Sequence, residues 1–503
     1  MKIFKEYRQD QTYLLPPSLN EFVPEDHEAR IINDVVDLFG ASALLKKYEG
    51  GGAPAYHPRM MLKILIYAYS LGIYSSRQIV KELKTDTAFM FLAGLQIPDF
   101  HTICLFRSQH ADMLPGIFVE VVRLCASLGM VSLGHIAFDG TKLKANASVR
   151  QSKNSQGLDK EIERIKGEIQ KMLEASAKID ELEDKLYPDG DGSEMPKELV
   201  KKENRLKKLH AAKEQLESEK LKKINVTDPE AQLMKNGQGK IQPAYNGQVA
   251  VDAKEQIIVA AAVTQHEADN FEFQPMAEQV KQNQGRLPEQ GSADAGYFTY
   301  DNLEYAALNG IDLYLPDPLL KALDSDEVGK FRYEKSRFMY NAAEDVYICP
   351  EGKLLRRYRE KKRKGQPPLT VYRGESCGDC AVKGKCTRRS VREVFRDPRE
   401  PLLEAMRAKL RTESGKQTYN KRMYTVEPVF GDIKWNRAKL ALSLRGELKV
   451  NGEFCLMCLV HNVKKIIKKV IEGGVDLIHN NGLPQIVSAS VAETNMAVAS
   501  VAE

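Results

Sequence analysis

A chain of 503 residues exceeds the usual size of one domain, so two or three units with room for a buried core are expected. Hydrophobic residues at 43% and charged residues at 28%, with a mean hydropathy of −0.41, match an ordinary soluble protein, and no apolar run reaches the roughly eighteen residues of a membrane span. The net charge of +5 hides an asymmetry: residues 351–400 hold 16 Lys/Arg against 7 Asp/Glu and residues 401–470 hold 15 against 6. That excess reads either as a polyanion-binding C-terminal third or as a solvated lysine-rich surface. The opening MKIFKEYRQDQTYLLPPS carries charges every few residues and does not read as a secretory signal. Eight cysteines are too few for a disulfide framework, so a reducing cytoplasm is expected.

Residues 25–130 read as a succession of helices broken by Gly, Pro or Ser/Thr caps. Ser75 or Ser76 can cap one of them, and Pro98 to Thr102 precedes another that carries Arg107, Gln109 and His110. This order suits either a helix-turn-helix unit or a plain bundle. Next, Ile136 to Lys142 forms a short apolar strand ending in Asp139-Gly140. Leu158, Ile162, Ile165, Ile169 and Met172 then make a heptad seam. A turn and a second helix bearing Leu199, Leu206, Leu209 and Leu216 complete an antiparallel hairpin, inserted between strands. Strands resume at 244–251 and 256–263, followed by a helix at 273–282, the segment Gly291 to Tyr297, a helix at 301–309 and a strand at 311–315. Three antiparallel strands followed by alternating helix and strand predict a mixed α/β sheet with helices packed on its faces. A basic, cysteine-bearing, loop-rich stretch at 317–400 precedes the C-terminal helices, and the tail from residue 480 is expected to be disordered.

Asp139 and Asp294 sit at strand ends beside glycines, and Glu427 lies in KRMYTVEPVFGDIKWNRAKL. A set of carboxylates suits hard divalent cations, and phosphodiester chemistry profits from such ions at the attacking and leaving oxygens. Taken singly, each Asp reads first as a turn or cap residue. His266-Glu267-Ala268-Asp269-Asn270 follows a strand and provides substrate-contact or strand-capping residues. Lys434, seven residues beyond Glu427, shares its helix face and can reach a phosphate. Trp435, the one tryptophan, reads as a packing residue or a base-stacking platform.

FDGTKLKANAS, DPEAQLMK through AYNGQVAVDAKEQIIVAAAVTQHEADN, ADAGYFTYDNL and KRMYTVEPVFGDIKWN resemble the blocks of bacterial insertion-sequence transposases of the DDE class, and more narrowly the group numbered eleven-eighty-two. The resemblance covers about residues 10–470. It implies an RNase H-like core, with Asp139, Asp294 and Glu427 as the three catalytic carboxylates holding Mg2+ or Mn2+. Tyr419, Arg422, Glu427 and Lys434 meet the related signature of Tyr, two residues, Arg, three residues, Glu, six residues, Lys, except that four residues separate Arg422 from Glu427. Lys421 is the other candidate phosphate clamp.

The implied organisation is a helical DNA-binding domain at 1–130 and a core divided among 131–157, 225–316 and 401–472. The helical hairpin 158–224 and a basic Cys-rich insertion 317–400 interrupt it, and a tail follows from 473. Cys349, Cys377, Cys380 and Cys386 form a CxxC pair with two flanking thiols that can close a structural zinc site, whereas Cys104, Cys125, Cys455 and Cys458 read as core residues. The expected partners are double-stranded DNA, as element ends and target, and a second copy of the chain, with no membrane. The expected location is a bacterial cytoplasm, at the nucleoid when DNA is bound. A host nuclease with the same core, or a DNA-binding protein with a vestigial site, are the rival readings.

Overall fold

The computed structural model describes residues 18–38, 45, 48, 54–186, 197–318, 333–436 and 441–473. The expected tail, the turn of the helical hairpin and the Trp435 side chain lie outside this description. The N-terminal helices are α1 (Glu28–Leu38), α2 (Pro58–Ser70), α3 (Ser76–Thr85), α4 (Thr87–Ala93), α5 (Phe100–Gln109) and α6 (Leu114–Ser127). Their boundaries follow local chemistry. Asp86 accepts from the amides of Ala88 and Phe89 at 2.8 and 3.0 Å, and Gly94 ends α4 at φ 55°. Asp99 caps α5 through the Thr102 amide at 2.7 Å.

The central sheet is built from β1 (His135–Lys144), β2 (Gln232–Lys235), β3 (Ile241–Asp252), β4 (Ile257–Thr264), β5 (Gln290–Ser292) and β6 (Asp312–Tyr314). β3 pairs antiparallel with β1 on one side and with β2 and β4 on the other, while β5 and β6 continue from β1 in parallel. Parallel neighbours need crossovers, and α9 (Phe273–Gln284) and α10 (Tyr300–Leu308) follow β4 and β5 in that role. The mixed sheet is as expected from the strand pattern, and β2 is a strand beyond that expectation.

Between β1 and β2 the chain forms α7 (Ser155–Leu186) and α8 (Lys197–Ser218). Leu158, Ile162 and Ile165 bury against Leu209, Ala212 and Leu216. Ion pairs Asp159–Lys213 at 2.5 Å and Glu161–Arg205 at 2.9 Å set the two arms antiparallel. At 32 residues, α7 is about 48 Å long.

A second sheet of β7 (Met339–Asn341), β8 (Val346–Ile348), β9 (Leu354–Arg363), β10 (Gln366–Gly374) and β11 (Glu393–Arg396) is an antiparallel meander in that order. This corrects the reading of 317–400 as loop-rich. The outer half of β9, Arg356 to Lys362, is exposed on both faces, so no apolar alternation marks it as a strand.

Helices α11 (Glu400–Arg411) and α12 (Glu413–Gly431) follow, with α12 running into a π-helical turn at Asp432–Asn436. The last helix, α13 (Glu447–Gly473), buries Phe454 to Val460 without interruption, the pattern of a helix enclosed on all sides. It packs against α1, α2, α6 and β4. One apolar core runs from Ala29 to Ile467, so the N-terminal helices and the sheet share it. Within it Arg107 donates to the Tyr69 hydroxyl and the Tyr74 carbonyl, and His110 is buried. Neither faces solvent, so neither is available to read bases from α5. Cys125, Cys455 and Cys458 are buried as expected, but Cys104 is exposed.

Candidate active site

β1 and β5 lie side by side in parallel with Ala137 opposite Ser292. Two residues beyond that pair stand Asp139 and Asp294, so the register sets level two carboxylates that are distant in the chain. Asp139 remains within β1, and its Oδ1 accepts from the Gly140 amide at 2.9 Å. Asp294 leaves the sheet and caps a 3-10 turn, Oδ1 accepting from the Gly296 amide at 2.8 Å. Burial pushes the Asp139 carboxyl up to about 6, with Arg422 opposing the shift and the Asp294 charge adding to it.

α12 carries the cations. Arg422 Nη2 lies 2.6 Å from Asp139 Oδ2. Burial works against the charge on this guanidinium, but Asp139, Tyr419 and Asp294 together hold it firmly protonated. The Tyr419 phenol is raised by burial and partly countered by Arg422. Burial lowers the Lys434 ammonium and the Asp139 charge counters it; Lys434 Nζ is 5.4 Å from the centre of the Phe430 ring. Asp139, Asp294, Tyr419, Arg422 and Lys434 are thus gathered in one place. Glu427 is not among them. Five residues after Arg422, it lies about 140° around the helix, exposed, without an ion pair or hydrogen bond among the described residues. Lys421 is likewise exposed.

Residues 17–109 match the family described as a transposase domain (DUF772), and residues 348–467 match the transposase DDE domain. The chain belongs to the DDE transposases. No curated protein matches it. The second match includes Tyr419, Arg422, Glu427 and Lys434, and the first covers α1 to α5. As an insertion-sequence transposase of this class the protein depends on divalent metal ions. Among the described residues, no three His, Cys, Asp or Glu side chains stand close enough to enclose an ion in this conformation. The donor set at Asp139 nevertheless suits one: hard carboxylate oxygens, one of them neutralised by a guanidinium.

On the face of β1 and β3 opposite Asp139 the transposase places residues that the sequence does not single out or offers only as loop candidates. Lys142, Asn246 and Gln248 converge on Asp269, and the buried Tyr297 hydroxyl donates to Gln248 Oε1. Alternation along β1 and β3 is the available signal for Lys142, Asn246 and Gln248, since each faces the same side as its cross-strand neighbour. His266 is exposed and pairs with Glu272 at 2.8 Å.

In the second sheet, Cys349, Cys377, Cys380 and Cys386 line one cavity of about 30 Å³. The Lys353 amide donates to Cys349 Sγ at 3.3 Å. Burial raises the Cys386 thiol; Arg392 opposes the shift and the other three cysteines add to it. The outer part of β9 presents Arg356, Arg357, Arg359, Lys361 and Lys362 to solvent, with Tyr358 exposed between them. Arg363 is instead held by the buried Asp397 at 2.5 Å.

Proposed function

We propose that the transposase binds the terminal inverted repeats of its insertion sequence, hydrolyses the donor strand at the element ends, and transfers the freed 3′-hydroxyl to target DNA. The observation that carries this reading is the parallel register that levels Asp139 with Asp294, with Arg422 seated on Asp139. The strand order, three antiparallel strands continued by two parallel ones, supports an RNase H-like core. Asp139 and Asp294 would hold Mg2+ or Mn2+. When bound, such ions supply Lewis-acid stabilisation of the attacking and leaving oxygens. Arg422, seated beside Asp139, would clamp a phosphate in bidentate fashion. Tyr419 orients Arg422, and Lys434 neutralises phosphate charge next to Asp139. To join as third carboxylate, Glu427 would have to move inward from the exposed face of α12.

Zinc belongs to the same proposal. The second sheet has a small core of its own, Phe338, Tyr347, Leu355, Tyr372 and Val394, and sheets with so little apolar burial are commonly stapled by a metal. The four cysteines that line one cavity would supply the thiolate set for that staple when drawn together round the ion. The basic β9–β10 ribbon fits duplex phosphates, and the exposed Arg77, Gln78, Lys81 and Lys84 of α3 are available to read bases. Holding two ends together calls for a second copy of the chain, with the α7–α8 hairpin as a contact. The setting is the bacterial cytoplasm and nucleoid.

Incubating purified protein and Mg2+ with precut element ends and a plasmid tests the reading. Covalent joining of ends to plasmid is expected. Cleavage of ends without joining in any divalent metal would replace strand transfer by a nuclease activity.

A further inference from the structure

α12 ends on a carboxylate. Asp432 caps its C-terminus and opens the π-helical turn Asp432–Asn436, a place where the helix dipole disfavours negative charge. Two side chains of α13 hold it there: Lys464 Nζ stands 2.9 Å from Oδ1, and His461 Nδ1 stands 3.1 Å from Oδ2. The other ring nitrogen of His461, Nε2, lies 3.0 Å from the carbonyl oxygen of Gln256. A carboxylate and a carbonyl can only accept, so both bonds form together only when both ring nitrogens carry protons. His461 is 4% exposed. The geometry therefore calls for a buried imidazolium.

That ring sits on a rigid base. The neighbouring Asn462 accepts from the Ile258 amide at 2.9 Å and donates to the Ile258 carbonyl at 2.8 Å, which fixes α13 to the start of β4. Gln256 is held in the left-handed region at φ 58°, and its side chain joins the two helices. Its Nε2 donates to the Tyr424 carbonyl of α12 at 2.7 Å, and its Oε1 accepts from Lys465 of α13 at 2.7 Å. Among the described charged groups around the ring, Asp432 favours the proton while Lys464 and Lys465 oppose it. Glu28 of α1 interacts with Lys464, and Glu255, Lys468 and Asp432 with Lys465. The proton is thus kept by a carboxylate that an ammonium already shares, so the bond to Asp432 depends on pH. Two residues beyond Asp432, Lys434 leaves the same turn toward Asp139, whose charge it feels. A π-helical turn is a rare conformation, and here contacts from outside the helix pin its first residue.

We propose that His461 is a positioning residue for strand cleavage: as an imidazolium it ties Asp432, and with it the π-helical turn, to α13 and the start of β4, and so holds Lys434 beside Asp139. The inference rests on the reading of Lys434 as the residue that neutralises phosphate charge there. His461 is buried and acts through the turn rather than on DNA.

The test uses the full-length protein labelled with 13C at the histidine Cε1 position, with melting temperature recorded in parallel. His461→Gln identifies the His461 resonance by its loss. At pH 7, where an unpaired histidine is mostly neutral, that resonance should stand at the imidazolium position, and Asp432→Asn, which keeps the shape and removes the charge, should move it to the neutral one. Cleavage of an element-end duplex in Mg2+ gives the second readout. His461→Gln should lower kcat by about 10-fold or more in the wild-type background but by less than about 2-fold in the Lys434→Ala background, with end affinity in a gel shift unchanged. The wild-type rate should fall toward that of His461→Gln as the pH rises through the titration of the His461 resonance, a step the variant lacks. If His461→Gln melts too low for kinetics, Asp432→Asn takes its place in the same cycle. A neutral ring at pH 7, or an equal loss of rate in both backgrounds, overturns the role of His461 alone; wild-type cleavage by Lys434→Ala overturns the reading of Lys434 and this inference together.

Discussion

Asp139 is the residue where burial, charge and chemistry meet. Its carboxyl is raised from 3.8 to about 6, so the folded metal-free protein binds this proton more tightly than the unfolded chain. The resulting stabilisation is full below about pH 4 and is lost as the pH rises through about 6, and it amounts to at most about 3 kcal/mol. Asp139→Asn should remove that slope, which thermal melts of both proteins between pH 4 and 7 will show as a converging difference. Because the ligand must be deprotonated, Mn2+ affinity of the wild type should fall as the pH drops below about 6. In strand cleavage, Asp139→Asn and Asp294→Asn are each expected to abolish activity while end binding survives in a gel-shift assay. Glu427→Gln belongs to the same series, and near-normal cleavage in that variant would confine metal binding to the sheet-borne aspartates. Gly140 is constrained by its neighbours rather than by its φ. A Cβ there would meet Gln248 Nε2 at 2.4 Å and Asp269 Oδ1 at 2.6 Å. Gly140→Ala should cost about 1–3 kcal/mol of stability, visible as a reduced melting temperature.

At the scale of elements, the second sheet and α13 make separate predictions. The sheet should carry about one zinc per chain by elemental analysis, and Cys377→Ser with Cys380→Ser should remove it and expose β7 to β11 to proteolysis; zinc content unchanged by that pair would dismiss the site. α13 crosses the 3-10 turn at Ala111 so closely that a Cβ on Gly452 would stand 1.9 Å from the Ala111 carbonyl oxygen. A backbone atom cannot yield as a side chain tip does, so Gly452→Ala should lower stability by about 3 kcal/mol or more, visible as a reduced denaturation midpoint. The β9–β10 ribbon should act as an electrostatic grip. Neutralising Arg357, Arg359, Lys361 and Lys362 should weaken binding to every duplex alike and flatten the plot of log affinity against log salt by up to about 0.9 for each phosphate left without its cation. Arg363 is left out because the buried Asp397 already uses it.

For the whole molecule, the shared core changes how base reading is tested. α13 is enclosed by α1, α2, α6 and β4, so deleting the N-terminal helices strips the cover from the apolar run Phe454 to Val460 and should yield insoluble protein. Replacing Arg77, Gln78, Lys81 and Lys84 by Ala leaves that core intact. It should erase the preference for element ends over random DNA while much nonspecific affinity remains. An unchanged preference would remove α3 as the sequence reader. The same core couples the two ends of the chain, since α13 closes over helices from the first 130 residues and lies against β4 of the catalytic sheet.

Elements whose signal is local were legible in the sequence. The β1, β3 and β4 strands alternate or run apolar, the α7 and α8 seams repeat every three and four residues, and the caps Asp86 and Asp99 start helices by their own side chains. Asp139 and Asp294 were marked by the glycines that follow them, although Gly140 lies within β1 and not in the turn expected there, and the family likeness carried Arg422 and Lys434. Tertiary structure settled what depends on distance in space. Only the parallel pairing of β1 with β5 puts Asp139 level with Asp294, because register is a relation between strands and is written in neither. Only the fold shows Arg107 and His110 pointing inward, since a polar side chain in a helical sequence reads the same whether its partner is solvent or a buried tyrosine. Asp269 stayed hidden among loop residues for the same reason: its meaning lies in Lys142, Asn246 and Gln248 on two other strands. The rotation of α12, which seats Arg422 on Asp139 and leaves Glu427 outside, is set by packing against β1 and β3, a relation that no spacing along the helix encodes.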